Sequence, residues 1–350
     1  MDKVRIGFVG VGSMGQCAHL KSYLTIPDCE VVALAELRPE LARRVAARYG
    51  VARVYADHRE MLSRETLDGI VASQPFDRHG VLVPELLAAG VPLFTEKPLA
   101  ASVAVGEKIV EAVKRSGTWH MVGYNKRSDP ATMYAKPEID RLKATGELGS
   151  LRYLRLVMPP GDWIAGGFND RVTTDEPMPD LARDPAADDM DPETYHEYVS
   201  FVNYYIHQVN LMRHLLGEPY RVTFADPSGV LLAGRSESGV ACALEMSPYS
   251  TTRDWQESAL VAFERGYVKL DVPAPLASNR PGRVEILRDP GGGATPQVEA
   301  PHLPSVHSMR QQAINFVAAI RGERKPPCEA AEALEDLKVA REYIRLLRGV

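Results

Sequence analysis

No stretch of the chain approaches the roughly 20 consecutive apolar residues that a membrane-crossing helix needs. The amino end, Met1-Asp2-Lys3-Val4-Arg5-Ile6-Gly7, lacks the layout of a signal peptide and enters a strand-like run at once. Cysteine is scarce: Cys17, Cys29, Cys242 and Cys328 are four in 350 residues, and no two form C-x-x-C. That excludes a zinc knuckle or a thioredoxin-type motif, and four are too few for a disulfide scaffold. An excess of basic charge is also missing. Lys plus Arg number 41 against 46 Asp plus Glu, a net charge of −5, so the broad positive footprint of a nucleic-acid binder is absent. Apolar residues make up 45% and are spread over the whole length, which excludes disorder. We therefore expect a soluble cytoplasmic protein with ordinary thiols and no membrane or nucleic-acid partner.

At about 100–200 residues per domain, the length suggests two. Residues 1–125 alternate regularly. Short β-branched runs, Val4–Val9, Val31–Leu34, Gly69–Ala72, Pro92–Phe94 and Trp119–Val122, read as buried strands. Between them lie helix-period segments: Met14–Leu24, Pro39–Tyr49, His79–Ala89 and Val103–Ser116. Pro39 begins a helix, and Gly50, Gly90 and Gly117 stand just past helix ends. This alternation predicts a doubly wound parallel sheet. Residues 126–350 read differently: a helix near Ala131–Thr145, a strand Leu151–Met158, an irregular segment from Pro159 to about Pro192, and a helix over Tyr198–Leu216. Six strands without intervening helices follow, Arg221–Ala225, Val230–Ala233, Val240–Met246, Glu257–Phe263, Tyr267–Val272 and Arg283–Leu287, then helices Ser308–Arg321 and Ala330–Leu347. We expect an α/β second domain with a predominantly antiparallel open sheet, its C-terminal helix able to pack back on the first domain. Gly291-Gly292-Gly293 reads as a hairpin or loop.

Gly10-Val11-Gly12-Ser13-Met14-Gly15 follows the first strand and opens the first helix, and Glu36 closes the second strand 21 residues after Gly15. A lone G-x-G-x-x-G is weak; in this strand–turn–helix context it predicts a dinucleotide site, against the alternative of a glycine-rich turn without a ligand. The helix N-terminus offers N–H groups to phosphates. Glu36 is suited to the adenosine ribose hydroxyls and would repel a 2′-phosphate, so NAD is expected over NADP. Arg38, two residues on, could instead pair with such a phosphate.

Thr95-Glu96-Lys97-Pro98 lies at the C-terminal end of another predicted parallel strand, where open α/β sheets bind ligands. A lysine there can hold or shift a hydroxyl proton; by composition alone a surface lysine beside a turn proline is the simpler reading. Together these pieces resemble the Gfo/Idh/MocA family of nicotinamide-dependent sugar and cyclitol oxidoreductases. The resemblance covers Gly7 to Gly15, Pro75 to His79, Ala89 to Pro98, Val122 to Arg127 with Asp129-Pro130, and His207 to Glu218. It implies a Rossmann domain, an antiparallel sheet often used for oligomerisation (hence a homodimer or homotetramer), Lys97 at the substrate hydroxyl or carbonyl, and a Lys97–Pro98 bond able to be cis. It also implies that Ser73, Gln74, Pro75 and His79 line the nicotinamide ribose pocket, with Ser13, Met14 and Glu96 among the cofactor residues. His79 could equally just begin a helix.

Asn203, His207, Asn210 and His214 are spaced 4, 3 and 4 on a largely apolar segment and would share one helical face. Such a stripe is either a satisfied core network or the wall of a wet cleft. The resemblance assigns His207 to acid/base work or substrate positioning. The family's usual aspartates four before and three after it are here Asn203 and Asn210, which can hydrogen-bond an imidazole but not charge-stabilise it. That shifts weight to Lys97. Tyr124, Lys126 and Trp163 are further candidate substrate contacts. No histidine set has metal-ligand spacing, and no metal is expected.

These readings converge on an NAD-dependent dehydrogenase that interconverts a secondary alcohol and a ketone on a sugar, amino sugar or aminocyclitol. The alternatives are an NAD-dependent glycoside hydrolase or lyase using transient oxidation, and a dinucleotide-sensing regulator without catalysis. Residues 161–200 carry eight Asp, three Glu and two Arg, a net −9, which leaves +4 for the remainder. This segment is either a solvated acidic loop or an attractor for a cationic, aminoglycoside-like substrate.

Overall fold

The computed structural model describes residues 3–349. They form two compact units, discontinuous in sequence. The first holds everything up to Tyr124, together with Gly166–Asp191 and Met309–Leu337; the second holds Asn125–Ala165, Pro192–Ser308 and Lys338 onward. Beyond the expected break at 125/126, two segments, Gly166–Asp191 and Met309–Leu337, return to the first unit.

In the first unit β1 (Val4–Val9), β2 (Cys29–Ala35), β3 (Arg53–Tyr55), β4 (Gly69–Ala72), β5 (Leu93–Glu96) and β6 (His120–Gly123) form a parallel sheet. Its order is β3-β2-β1-β4-β5-β6, the Rossmann order with its switch point between β1 and β4. β3 is three residues long and mostly exposed, too short and too polar to show in the pattern. The connecting helices are α1 (Lys21–Tyr23), α2 (Pro39–Tyr49), α3 (His58–Arg64), α4 (His79–Leu87) and α5 (Val103–Ser116). Local chemistry sets their ends. Pro39 opens α2, Asp57 and Ser102 accept N–H groups at the starts of α3 and α5, and Gly50 and Gly117 close α2 and α5 in the left-handed region. The expected helix from Met14 differs: Gly15–Leu20 is wound as a π-helix before α1, a winding often found at functional sites.

α6 (Pro130–Thr145), β7 (Leu151–Val157), α7 (Pro192–Tyr204), α8 (Ile206–Leu216), β8 (Tyr220–Ala225), β9 (Leu231–Ser236), β10 (Ala241–Glu245), β11 (Ser258–Phe263), β12 (Gly266–Asp271), β13 (Arg283–Arg288) and β14 (Gln297–Glu299) follow in the second unit. The strands form one sheet, β14-β13-β12-β11-β7-β10-β9-β8, antiparallel except for the β7–β10 pair. Gly291, Gly292 and Gly293, all at positive φ, lie in the β13–β14 connection. Burial alternates along β7, β9 and β11, as expected for a sheet with one covered face.

The single helix expected over Tyr198–Leu216 is two. Tyr205 interrupts it, with its hydroxyl donating to the Met246 carbonyl at 2.8 Å, and α8 restarts beyond it.

Two last helices are α9 (Ser308–Ile320) and α10 (Ala330–Arg348). Phe316 of α9 stacks edge-on against Tyr23, Phe94 and Trp119 at 5.5–6.3 Å. These contacts draw α9 into the first unit's core. α10 is shared, its residues to Leu337 belonging to the first unit and the rest to the second.

Candidate active site

The C-terminal ends of β1, β2, β4 and β5 carry the candidate residues of the first unit. Gly10 sits at φ +87°, and a Cβ there would lie 2.7 Å from the Ser73 carbonyl oxygen. A Cβ on Gly15 would come within 2.5 Å of the Gly10 carbonyl oxygen. The tight turn and the close helix–strand approach therefore both require glycine. At Gly12 an added Cβ would meet only Arg38 Nη2, at 3.8 Å, so the loop is open where a pyrophosphate would approach. Met14 and Gly15 lead into the π-helix.

Glu36 is buried. Its Oε2 accepts the Val11 N–H at 3.0 Å, and its Oε1 accepts Arg38 Nε at 2.7 Å. The ion pair holds Arg38 beside the carboxylate, and Glu36 retains lone pairs for ribose hydroxyls. These residues fit a dinucleotide. The open Gly12 and the helix start would receive the phosphates, Glu36 the adenosine ribose, and the loop beyond β4 the nicotinamide ribose.

In that loop the Ser73 N–H donates to the Val9 carbonyl at 3.0 Å, and Gln74 Nε2 donates to the same oxygen at 3.3 Å. Pro75 is exposed. His79 is fully buried and its Nδ1 donates to the Leu99 carbonyl at 3.1 Å. Burial holds it below the usual histidine range, against that hydrogen bond. His79 thus ties the loop to the turn after Lys97.

Glu96 ends β5, buried, with His19 Nε2 donating to its Oε1 at 2.6 Å and the Lys97 N–H donating to its Oε2 at 3.2 Å. Burial opposes its charge, but the hydrogen bond and charge of His19, with the charge of Lys97, hold it below the ordinary carboxylate range. Lys97 is half-buried, and its bond to Pro98 is cis. Glu96 is therefore a fixed anion behind Lys97, and His19, absent from the sequence reading, is what fixes it.

In the second unit His207 is half-buried in the first turn of α8, whereas Asn203, on α7, is exposed. Asn210 is buried and accepts Arg127 Nε at 2.7 Å. His214 lies well below its ordinary pKa, first through burial and then through the charges of Arg127, Lys136 and Arg213. The stripe is therefore divided: Asn210 belongs to a core network, and Asn203 stands on another helix. Lys126 is buried and ion-pairs with Glu257, which also accepts Gln208 Nε2 at 2.7 Å and Trp255 Nε1 at 3.2 Å. The Lys126 ammonium is 5.4 Å from the Trp255 ring centroid. Tyr124 is buried; Trp163 is half-buried, its N–H donating to Gly161 O at 3.0 Å. Nothing in the local sequence marks Glu257 as the partner of Lys126, 131 residues away.

Residues 4–124 match the model of the Gfo/Idh/MocA family, described as an oxidoreductase family with an NAD-binding Rossmann fold. Over these residues the chain is similar to this family. It is 35% identical over 137 residues to an inositol 2-dehydrogenase of Acidothermus cellulolyticus, a match spanning 39% of this chain and 40% of that one. A match to the inositol 2-dehydrogenase of Burkholderia lata is longer, 26% identity over 304 residues, 82% of this chain and 80% of the relative. The crystal structure of an oxidoreductase domain protein from Kribbella flavida superposes with a TM-score of 0.75 at 19% identity, covering 100% of this chain and 98% of that one. That likeness establishes the shared fold. Among the described residues no helix is long and apolar enough to cross a membrane.

Proposed function

We propose that this protein is a member of the Gfo/Idh/MocA family and an NAD-dependent dehydrogenase that interconverts a secondary alcohol and a ketone on a sugar or cyclitol. The observation that carries the reading is Lys97, half-buried at the end of β5 beside an anchored Glu96, in the same row of strand ends as the Gly10–Gly15 loop. The inositol 2-dehydrogenases among its relatives support a polyhydroxylated ring as substrate. A dinucleotide held on this loop would supply a nicotinamide carbon that accepts or returns hydride. Lys97 takes the hydroxyl proton during oxidation and returns it during reduction. Glu96, negative and buried, accepts the Lys97 backbone N–H, and its charge favours the Lys97 ammonium. His207 is the second unit's candidate for positioning the substrate.

A neutral polyol is the first substrate to test. The amino-sugar variant of this reading leaned on the acidity of residues 161–200. Much of that charge is engaged: Asp170 by Lys21 and Arg48, Glu176 and Asp184 by helix N–H groups, and Glu193 and Glu197 by Arg348. The test is formation of reduced nicotinamide from NAD across cyclitols, aldoses and their amino analogues. Bond cleavage of a glycoside with no net change in NAD, or NAD binding without turnover on any of them, would overturn the reading. The half-exposed face of the eight-stranded sheet is proposed as the contact of a homodimer or homotetramer. Light scattering that gave a monomer would refute this. Residence in the reducing cytoplasm suits four cysteines that form no disulfide.

A further inference from the structure

One stretch of the first unit is used by none of the chemistry above. Residues 166–184 have no regular secondary structure, yet they are fastened to the sheet's C-terminal edge at three places.

At the end of β1, Gln16, 1% exposed, grips the backbone of Val172 twice. Its Oε1 accepts the Val172 N–H at 2.7 Å, and its Nε2 donates to the Val172 carbonyl at 3.0 Å. Arg171 Nη1 donates to Ser13 Oγ, inside the glycine loop, at 2.7 Å. Phe168 lies 5.9 Å beneath the same guanidinium. Lys21 and Arg48 (3.3 Å) neutralise Asp170 next to it.

At the end of β2, α2 has no side-chain cap from its own N-cap residue, Arg38. Glu176 supplies one from 135 residues away, accepting the N–H groups of Glu40 at 2.9 Å and Leu41 at 2.8 Å. At the end of β4, Arg78 Nε donates to the Ala182 carbonyl at 3.0 Å, and Asp184 Oδ2 accepts the Gly80 N–H at 2.9 Å. The Asp184 N–H donates to the Asp77 carbonyl at 2.7 Å.

The three anchor points are the three places assigned to the phosphates, the adenosine ribose and the nicotinamide ribose. We propose that residues 166–184 are a strap completing the dinucleotide site, with Arg171 as the cation that meets the pyrophosphate. This rests on the NAD-binding reading and extends it. The glycine loop offers a pyrophosphate only N–H groups and a helix start; a guanidinium held at Ser13 adds a full charge and a fork of donors. A strap pinned across all three subsites also has to loosen before the dinucleotide leaves, so release is slow and coupled to strap opening.

The test compares wild type with Arg171→Ala and Arg171→Lys. NAD and ADP-ribose are titrated calorimetrically, adenosine by ligand-observed NMR, and the strap amides are followed by hydrogen exchange. Arg171→Ala should weaken NAD and ADP-ribose about tenfold or more, and Arg171→Lys less. Adenosine, which has no phosphate, should bind all three proteins alike. The Val172 amide of wild type should exchange more slowly with ADP-ribose bound. Unchanged affinity for ADP-ribose in Arg171→Ala, an equal loss for adenosine, or strap amides indifferent to ADP-ribose would overturn the proposal while leaving NAD binding intact. Failure of wild type to bind either NAD or ADP-ribose would remove the proposed function as well.

Discussion

Asp129→Asn should make the protein's stability less dependent on pH, by an amount that the structure sets. Asp129 is wholly buried at the start of α6; its Oδ1 accepts the N–H groups of Ala131 at 2.9 Å and Gly282 at 3.0 Å. Burial raises its pKa from 3.8 to about 6, more than those two hydrogen bonds and the charge of Lys126 lower it. A shift of about two units is worth roughly 3 kcal/mol. The sign follows from linkage. Below the unfolded value of 3.8 the carboxyl is protonated in both states, and its contribution to stability is complete. Between about 4 and 6 the unfolded chain releases the proton while the folded protein keeps it, so stability is lost. Above 6 the loss levels off at about 3 kcal/mol. Asparagine keeps the acceptor and never carries the charge. Urea unfolding of both proteins from pH 4 to pH 8, followed by tryptophan fluorescence, measures the difference; Trp163 and Trp255 report from the same unit. Wild type should lose stability relative to Asp129→Asn as pH rises, with the change centred near pH 5. Parallel curves, or a wild type that gains on the variant with rising pH, would show that burial does not govern this carboxyl.

Lys97→Ala should lower turnover about 10²–10⁴-fold while calorimetric NAD affinity stays near wild type; retention of a tenth of the activity would rule Lys97 out as the main proton handler. His207→Ala should also be impaired, with more of the effect in KM if its role is positioning. NAD should bind more tightly than NADP because Glu36 is a buried carboxylate, and Glu36→Ala should narrow the gap; equal wild-type affinities in a titration would refute this. Lys126→Met should destabilise the second unit by about 3 kcal/mol by stranding the Glu257 charge, and the double variant Lys126→Met/Glu257→Leu should recover part of the loss in denaturation; strict additivity would deny the coupling.

What the sequence determined by itself is local in origin. The boundaries of α2 and α5 coincide with Pro39 and Gly50, and with Ser102 and Gly117, because capping depends on neighbours within four residues. The glycine loop, Glu36 and the Thr95-Glu96-Lys97-Pro98 turn were legible because each motif carries its strand end with it. The antiparallel sheet of the second unit showed in the succession of strands without helices. Tertiary structure decided whatever joins distant residues. The acidic segment looked like a free loop, since nothing near Glu176 or Asp184 announces a helix N-terminus more than a hundred residues away. His19 and Glu96, Lys126 and Glu257, and Arg127 and Asn210 pair across 77, 131 and 83 residues. The helix expected as one is interrupted at Tyr205, whose hydroxyl reaches the distant Met246 carbonyl, and α9 packs in the first unit through the aromatic cluster around Phe316. Hydrophobic periodicity reports which face of an element is buried; it does not report which partner satisfies a buried charge, because that partner is chosen by the packing of the whole unit.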